Sequence, residues 1–370
     1  MLREQHLINP ETCIRCNTCE RRCPTGAISH DERNYVVNAD ICNFCMACVR
    51  PCPTGAVDNW FMLNRPYTVA EQLGWHQLPP RVSKPPTILR PPTQLFRREA
   101  PAVATFVSSK RLTQEEEASE VRLIVIDFGD VAFPFLEGQC IGVVPPGKRS
   151  DSRPRGLRIY SIASARDGEE PGTSTMALFV KRVIGSRPDG SVFHGVASNW
   201  LCDLRPGDRI DVVGPFGETF LLPDDPEAEL LMIGTGTGRA PFRGFLQRRL
   251  RTAPDALGRQ HMFFGTRTPQ MFPTLDSLLS NPEFLPTKEL TYSGAAGWER
   301  EYVQDRMRQR AGSLATMLRN DHLHIYICGS RGLEEDVDVA LAEISQEHCI
   351  NWPVLRQTLH STGRYHAETY

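Results

Sequence analysis

The sequence predicts an α+β chain of three folded parts: a small cysteine-rich module, an antiparallel β-barrel and a doubly wound parallel α/β domain. Three observations carry this. One spacing of four cysteines occurs twice within residues 13–52. Past residue 105, short β-rich runs are bounded by Gly, Pro and Asp. Beyond residue 226, a glycine turn opens a series of apolar strands that alternate with helix-like sequence. The divisions read as 1–60 for the cysteine module, 61–104 for a proline-rich linker, 105–225 for the barrel and 226–370 for the α/β domain. At 370 residues the chain is long enough to give each folded part its own core.

Cys13, Cys16, Cys19 and Cys23, followed by Pro24, match C-x2-C-x2-C-x3-C-P. Cys42, Cys45, Cys48 and Cys52, followed by Pro53, match it again. Cysteines three apart let a tight loop bring three thiolates to three corners of one iron–sulfur cubane. The fourth, just before proline, ligates the other cluster in two-cluster modules. This assigns Cys13, Cys16, Cys19 and Cys52 to one [4Fe–4S] centre and Cys42, Cys45, Cys48 and Cys23 to the second. Structural zinc and a disulfide knot are the competing readings. Zinc takes pairs of C-x2-C rather than triplets with C-P, and disulfide frameworks belong to secreted proteins. The start, MLREQHLINPETC, lacks the apolar core of a secretory signal, and Arg21–Arg22 has no apolar segment behind it. A cytoplasmic location is expected, where reduced thiols serve as metal ligands. Residues 7–60 resemble the bacterial two-cluster ferredoxins.

Between Phe61 and Ala104 the periodicity dissolves among Pro66, Pro79, Pro80, Pro85, Pro86, Pro91, Pro92 and Pro101. Proline at this density favours an extended, semi-rigid spacer. Leu73, Trp75, Ile88, Leu89, Leu95 and Phe96 are candidates to dock it along the second domain; a freely mobile tether is the alternative.

In the barrel, VRLIVIDF (121–128), TMALFVKRV (175–183) and DRIDVVGPFG (208–217) read as strands. RIYSIAS, from Arg158 to Ser164, places Arg158, Tyr160 and Ile162 on one face and Ser161 on the other. Arginine can hold a pyrophosphate bidentately, tyrosine can pack on a cofactor ring, and a hydroxyl can hydrogen-bond the reactive edge of a flavin. Downstream, Gly195, Val196, Ala197 and Ser198 open a helix whose first amides are free for phosphate oxygens. RIYS followed by FVKRV, GVASNWL and GPFG, in that order, is similar to the plant-type ferredoxin–NADP⁺ reductases across residues 105–370. The resemblance implies FAD in the barrel, with Arg158, Tyr160, Ser161, Val196, Ala197 and Ser198 in contact with it.

The α/β domain opens with ELLMIGTGTGRAPFRGFL, in which Gly234, Gly236 and Gly238 suit a diphosphate brought close to a helix N-terminus. HMFFGTR (261–267), KELTYSG (288–294) and HLHIYICGSRG (322–332) are further strands. GTGTGRAP and YICGSRGLEE resemble the reductases' nicotinamide nucleotide motifs, which implies binding at Gly236, Thr237, Gly238 and Gly329. By the same resemblance Cys328 lies near the site of hydride transfer, Glu368 assists charge balance and the Tyr370 ring stacks on the flavin. Without the motif, Cys328 reads as a small buried hydrophobe. Ser293, Arg300, Tyr302 and Gln304 match the positions that meet the 2′-phosphate and adenine of NADPH; Gly294 stands where the family has a second arginine.

Together these features predict an NADPH oxidoreductase with FAD and two [4Fe–4S] clusters. The whole domain order resembles the reductase components of benzoyl-CoA 2,3-epoxidases, which implies a di-iron oxygenase partner in aerobic benzoate degradation. Competing readings are a reductase of the same architecture that runs in reverse to make NADPH, a reductase for another acceptor, and an iron–sulfur carrier with a degenerate nucleotide fold. The formal net charge of −2 leaves no electrostatic footprint for nucleic acid, and no apolar run reaches membrane-spanning length. Oligomeric state stays open, with a homodimer among the options.

Overall fold

The computed structural model describes residues 3–43, 45–57, 59–63, 66–79, 92–113, 115, 119–147, 155–187, 189–225, 227–252, 260–266, 287–292 and 300–370. The cysteine module consists of β1 (Arg3–Leu7), α1 (Thr18–Arg22), the hairpin β2 (Ile28–His30) and β3 (Tyr35–Val37), and β4 (Asn59–Leu63), which returns antiparallel to β1. Its core is thin: Ile8, Ile28, Tyr35, Val37, Ala56 and Val57 pack against the cysteines themselves. A core of that size needs a staple, and metal ligation supplies one.

Residues 66–78 differ from the spacer expected there. Thr68 caps α2 (Val69–Leu73): the Thr68 amide donates to Glu71 Oε2 at 2.7 Å, and the Glu71 amide donates to Thr68 Oγ1 at 3.2 Å. The buried Gln72 side chain donates to the Val37 carbonyl at 2.8 Å and accepts from the Val37 amide at 3.0 Å. Trp75 packs with Tyr67 and Leu78 on Leu7, so it docks on the cysteine module and not on the barrel. A capping box and a doubly bonded buried amide fix a short helix that proline content obscured. Leu73 is half-buried and Leu95 is 51% exposed; Phe96 does reach the barrel core, stacked on Phe133 at 5.1 Å. Ile88 and Leu89 lie outside the described residues.

The barrel comprises β5 (Ala102–Arg111), β6 (Val121–Asp127), β7 (Cys140–Val143), β8 (Arg158–Ser161), β9 (Thr175–Lys181), the small hairpin β10 (Ile184–Ser186) and β11 (Val192–His194), α3 (Val196–Asp203) and β12 (Arg209–Phe216). Its antiparallel sheet runs β8-β7-β12-β5-β6-β9, and a bridge from Ile162 to Leu178 brings the end of β8 back to β9. Alternate residues Ala102, Ala104 and Phe106 of β5 turn inward, as a two-residue period requires.

The α/β domain contains β13 (Glu229–Thr235), α4 (Arg239–Thr252), β14 (Gln260–Thr266), β15 (Thr287–Tyr292), α5 (Val303–Gln309), α6 (Ala311–Leu318), β16 (Leu323–Gly329), α7 (Leu333–Glu347), α8 (Trp352–Ser361) and β17 (Tyr365–Thr369). Five parallel strands run β15-β14-β13-β16-β17. Leu231, Ile233, Ile325 and Ile327 face Leu314, Val337 and Leu341 on one side of the sheet. Leu230, Met232 and Tyr326 face Phe242 and Phe245 of α4 on the other. Strand order reverses between β13 and β16, where such sheets open a ligand crevice. Among the described residues no helix is long and apolar enough to cross a membrane.

Charged groups lock the barrel to α4. Arg243, 4% exposed, donates to the Ala163 carbonyl and to Glu169 Oε2, both at 2.7 Å. Arg251 meets Asp167 at 2.8 Å, the Ala165 amide donates to Gln247 Oε1 at 2.9 Å, and the Arg239 guanidinium lies 4.7 Å from the Phe179 ring centroid. Removing one member of such a pair strands the other charge in a dry interface. Glu169→Ala is therefore expected to destabilise the reductase part by about 3 kcal/mol in chemical denaturation, whereas the exposed neighbour Glu170→Ala leaves the midpoint in place. Equal midpoints for the two variants would refute the clamp.

Candidate active site and metal centres

The two cysteine loops share one backbone device. Asn17 and its counterpart Met46 both take a left-handed conformation, with φ of 62° and 64°, and this curls each triplet inward. The neighbours of each thiol reveal the pairing. Besides burial, the charges that raise Cys19 are those of Cys52, Cys13 and Cys16, with Cys48 behind them. Those that act on Cys48 are Cys42, Cys23 and Cys45. Cys52 thus lies near Cys19, and Cys23 near Cys48. Burial pushes Cys48 up to about 12 and Cys13 to about 11. Thiols this buried and crowded would ionise only as a cation binds among them, a charge that the iron of a 4Fe–4S cluster would supply. Among the described residues no group of three or more His, Cys, Asp or Glu converges to hold a single metal ion. The second cage encloses an apolar pocket lined by Ala27, Ile28, Val37 and its own four cysteines, and the Ala27 amide donates to Cys23 Sγ at 3.2 Å.

In the barrel, β8 leaves Arg158 exposed at one end and Ser161 half-buried at the other, with Tyr160 packed against the barrel core. Cys140 lies opposite Ser161 in the β7–β8 register and directs its thiol at Ser161 Oγ, 3.7 Å away. On α3, Ser198 Oγ accepts from the Val183 amide at 3.1 Å, so its hydroxyl is committed to the β10–β11 hairpin. The first-turn amides of Val196, Ala197 and Ser198 have no intrahelical acceptor and remain for an anion.

Across the crevice, sheet register sets the rest. Cys328 sits between Gly234 of β13 and Glu368 of β17. The Gly236–Gly238 turn folds over it so closely that a Cβ on Gly238 would stand 2.0 Å from the Cys328 carbonyl oxygen. Tyr370 bonds through its hydroxyl to Thr237 Oγ1 at 2.8 Å, and its amide donates to the Gly329 carbonyl at 3.0 Å. The residue as a whole is 46% exposed. Cys328 is raised by burial, then by Glu368 and Cys140; Cys140 is raised by burial, then by Glu368. Ser161, Cys140, Cys328, Glu368 and Tyr370 therefore share one locus at the barrel–sheet seam. Cys140 escaped the sequence reading because a lone cysteine in a strand carries no spacing.

Arg300, Tyr302 and Gln304 gather at the start of α5: the Arg300 guanidinium lies 5.0 Å from the Tyr302 ring centroid, and Tyr302 is 40% exposed. Ser293, and Gly294 beside it, lie outside the described residues.

Comparisons with known proteins agree with this geometry. A family model described as a 4Fe-4S dicluster domain matches residues 12–56, and one described as an oxidoreductase NAD-binding domain matches residues 232–338. The cyanelle ferredoxin–NADP reductase of Cyanophora paradoxa is 34% identical over 291 residues, covering 75% of this chain and 79% of its own length. That of Thermosynechococcus vestitus is 34% identical over 290 residues, with 75% of each covered. The chloroplast enzyme of Spinacia oleracea is 33% identical over 292 residues, covering 74% of this chain and 77% of its own. A solved ferredoxin–NADP⁺ reductase from Plasmodium falciparum shares the fold, with a TM-score of 0.59 at 20% identity, over 75% of this chain and 99% of that one.

Two outcomes follow from the packing. Burial raises Glu368 to about 8, so the folded state holds this proton more tightly than the unfolded chain does. That stability is complete in acid and is lost as pH rises from the ordinary carboxylate range towards about 8. Glu368→Gln removes the titration, so the variant should gain on the wild type in thermal unfolding as pH increases; identical pH slopes would mean the carboxyl is ionised in the fold. Gly238→Ala drives a methyl into the Cys328 carbonyl and should weaken NADP⁺ binding at least about tenfold (~1.4 kcal/mol) in a spectroscopic titration. Unchanged affinity would remove the turn from the nucleotide site.

Proposed function

The chain belongs to the ferredoxin–NADP reductase family, and on that premise we propose that it draws electrons from NADPH and sends them through FAD and two [4Fe–4S] clusters to an oxygenase. It is an NADP-dependent flavin oxidoreductase with a 4Fe–4S ferredoxin domain in the same chain. Bound FAD supplies the exchange between a two-electron hydride and the single electrons that iron–sulfur centres accept.

The chain's own residues bind, orient and insulate. Arg158 and the first amides of α3, at Val196, Ala197 and Ser198, hold the flavin's diphosphate. Tyr160 would pack against the flavin from the barrel side, and the Tyr370 ring, kept in place by Thr237 and Gly329, would stack on it and give way to nicotinamide. Ser161, with Cys140 beneath it, presents a hydroxyl to the reactive edge. Cys328 leaves room for the nicotinamide, and the neutral, buried Glu368 keeps a carboxyl within the locus without burying a charge. The turn of Gly236, Thr237 and Gly238, with Gly329, receives the nucleotide's diphosphate, and Arg300, Tyr302, Gln304 and Ser293 receive its 2′-phosphate and adenine. The cages of Cys13, Cys16, Cys19 and Cys52, and of Cys42, Cys45, Cys48 and Cys23, hold one cluster each.

The observation that carries this reading is the doubled C-x2-C-x2-C-x3-C-P spacing, in a module that contacts a reductase body in the same chain. Tethering replaces encounter between separate proteins with a fixed local concentration. For the acceptor, the domain order supports the di-iron benzoyl-CoA 2,3-epoxidase of aerobic benzoate degradation, an inference from architecture rather than from any substrate contact. A reducing cytoplasm suits the eight ligand thiols, and no nucleic acid or membrane partner is invoked.

Anaerobic NADPH titration of the purified protein should bleach the flavin absorbance and develop EPR signals of reduced clusters. A protein without acid-labile sulfide, or one whose iron stays oxidised after the flavin is fully reduced, would overturn the scheme. Supplied with the epoxidase and benzoyl-CoA, the protein should support NADPH-dependent product formation; no coupling to a competent oxygenase would reject that acceptor alone.

A further inference from the structure

CPTGA occurs at residues 23–27 and again at 52–56, yet the two copies end in different surroundings. Pro24 and Gly26 are exposed, whereas Pro53, Thr54 and Gly55 are buried, Thr54 to 1%. The reductase body covers the second copy. Gly217 stands so near the Pro53 carbonyl that a Cβ there would lie 3.7 Å from its oxygen, and Thr219 Oγ1 donates to the Arg50 carbonyl at 2.7 Å. Arg22 pairs with Glu334 of α7, whose side chain is 6% exposed.

The ligand loops show the same bias. Around the second triplet Ile41 is 45% exposed, Met46 is 36% exposed and Cys45 is exposed; around the first, Arg15 is exposed but the counterparts of Cys45 and Met46, Cys16 and Asn17, are half-buried. A chain of bonds also leads from the flavin strand to one cage. The Ile162 amide, next to Ser161, donates to the Gln139 carbonyl at 3.0 Å, and Gln139 Nε2 donates to the Gly217 carbonyl at 2.9 Å. Gly217 then abuts Pro53, the residue after Cys52, which the cysteine spacing assigns to the cage of Cys13, Cys16 and Cys19.

We propose that the two cages work in a fixed order: electrons enter at Cys13, Cys16, Cys19 and Cys52, pass to Cys42, Cys45, Cys48 and Cys23, and leave past the exposed Ile41, Cys45 and Met46 to a one-electron protein acceptor. This order rests on the reading that NADPH reduces the clusters through FAD. Each NADPH surrenders a hydride and becomes NADP⁺; its two electrons travel singly along the cages to reduce two acceptors, and one proton is released to water.

The test uses full-length holoprotein prepared without air. In Cys45→Ser, NADPH should still reduce the remaining cluster within about twofold of the wild-type rate, read by freeze-quench EPR, while electron delivery to added cytochrome c falls at least about tenfold. In Cys16→Ser, NADPH should bleach the flavin normally but reduce the remaining cluster at least about tenfold more slowly, although dithionite reduces it fully. The opposite pattern, or equal loss in both variants, would overturn the order. Because a substituted cage can unfold the module, the unaltered holoprotein is also treated briefly with an iron chelator, alkylated and mapped by peptide mass spectrometry. Cys42 and Cys45 should label before Cys13 and Cys16; simultaneous or reversed labelling would overturn the proposal. If NADPH reduces neither cluster in the wild type, the functional reading fails, while the labelling order still decides which cage faces outward.

Discussion

Parallel pairing of β16 with β13 on one edge and β17 on the other is the constraint from which the active locus follows. Register places Gly234, Cys328 and Glu368 side by side, and the turn after β13 then has to fold over the Cys328 carbonyl. Only a residue without a side chain fits there. The same register ends β17 where the Tyr370 amide reaches Gly329 and its hydroxyl reaches Thr237. No side chain needs a special conformation to bring these groups together. They converge because three neighbouring strands stop at one level, at the reversal of strand order.

The barrel contributes its half through an interface that is polar yet dry. Arg243, Gln247 and Arg251 on one face of α4 meet Ala163, Ala165, Asp167 and Glu169 in the segment just beyond β8. Direct pairing compensates the desolvation of these groups, so the interface tolerates little sliding: a shift of an ångström would trade several charge-assisted bonds for bare buried charges. Rigid placement of Ser161 and Cys140 against Cys328 and Glu368 follows from that interface.

Much of this was legible in the sequence, for identifiable reasons. Cysteine spacing follows the needs of ligand geometry, so the 4Fe–4S module was legible before any coordinates. RIYS and GTGTGRAP mark places where backbone must approach a ligand, which restricts residue type at consecutive positions. Cys140 was invisible because its part in the site depends on a cross-strand partner, Ser161, twenty-one positions away. The stretch around Gln72 was misread since two buried amide bonds to Val37, rather than any periodicity, hold it to the cysteine module. The unequal exposure of the two CPTGA copies could not be read at all: their letters are identical, and only the neighbouring domain distinguishes them.

The Arg22–Glu334 pair has a consequence for how the chain responds to ionic strength. Surface charge pairs that join separate proteins weaken when salt screens them, but a carboxylate that is 6% exposed lies largely beyond the reach of mobile ions. The module is thus held to the rest of the chain by a contact that salt loosens less than it would an exposed pair, in addition to the covalent connection.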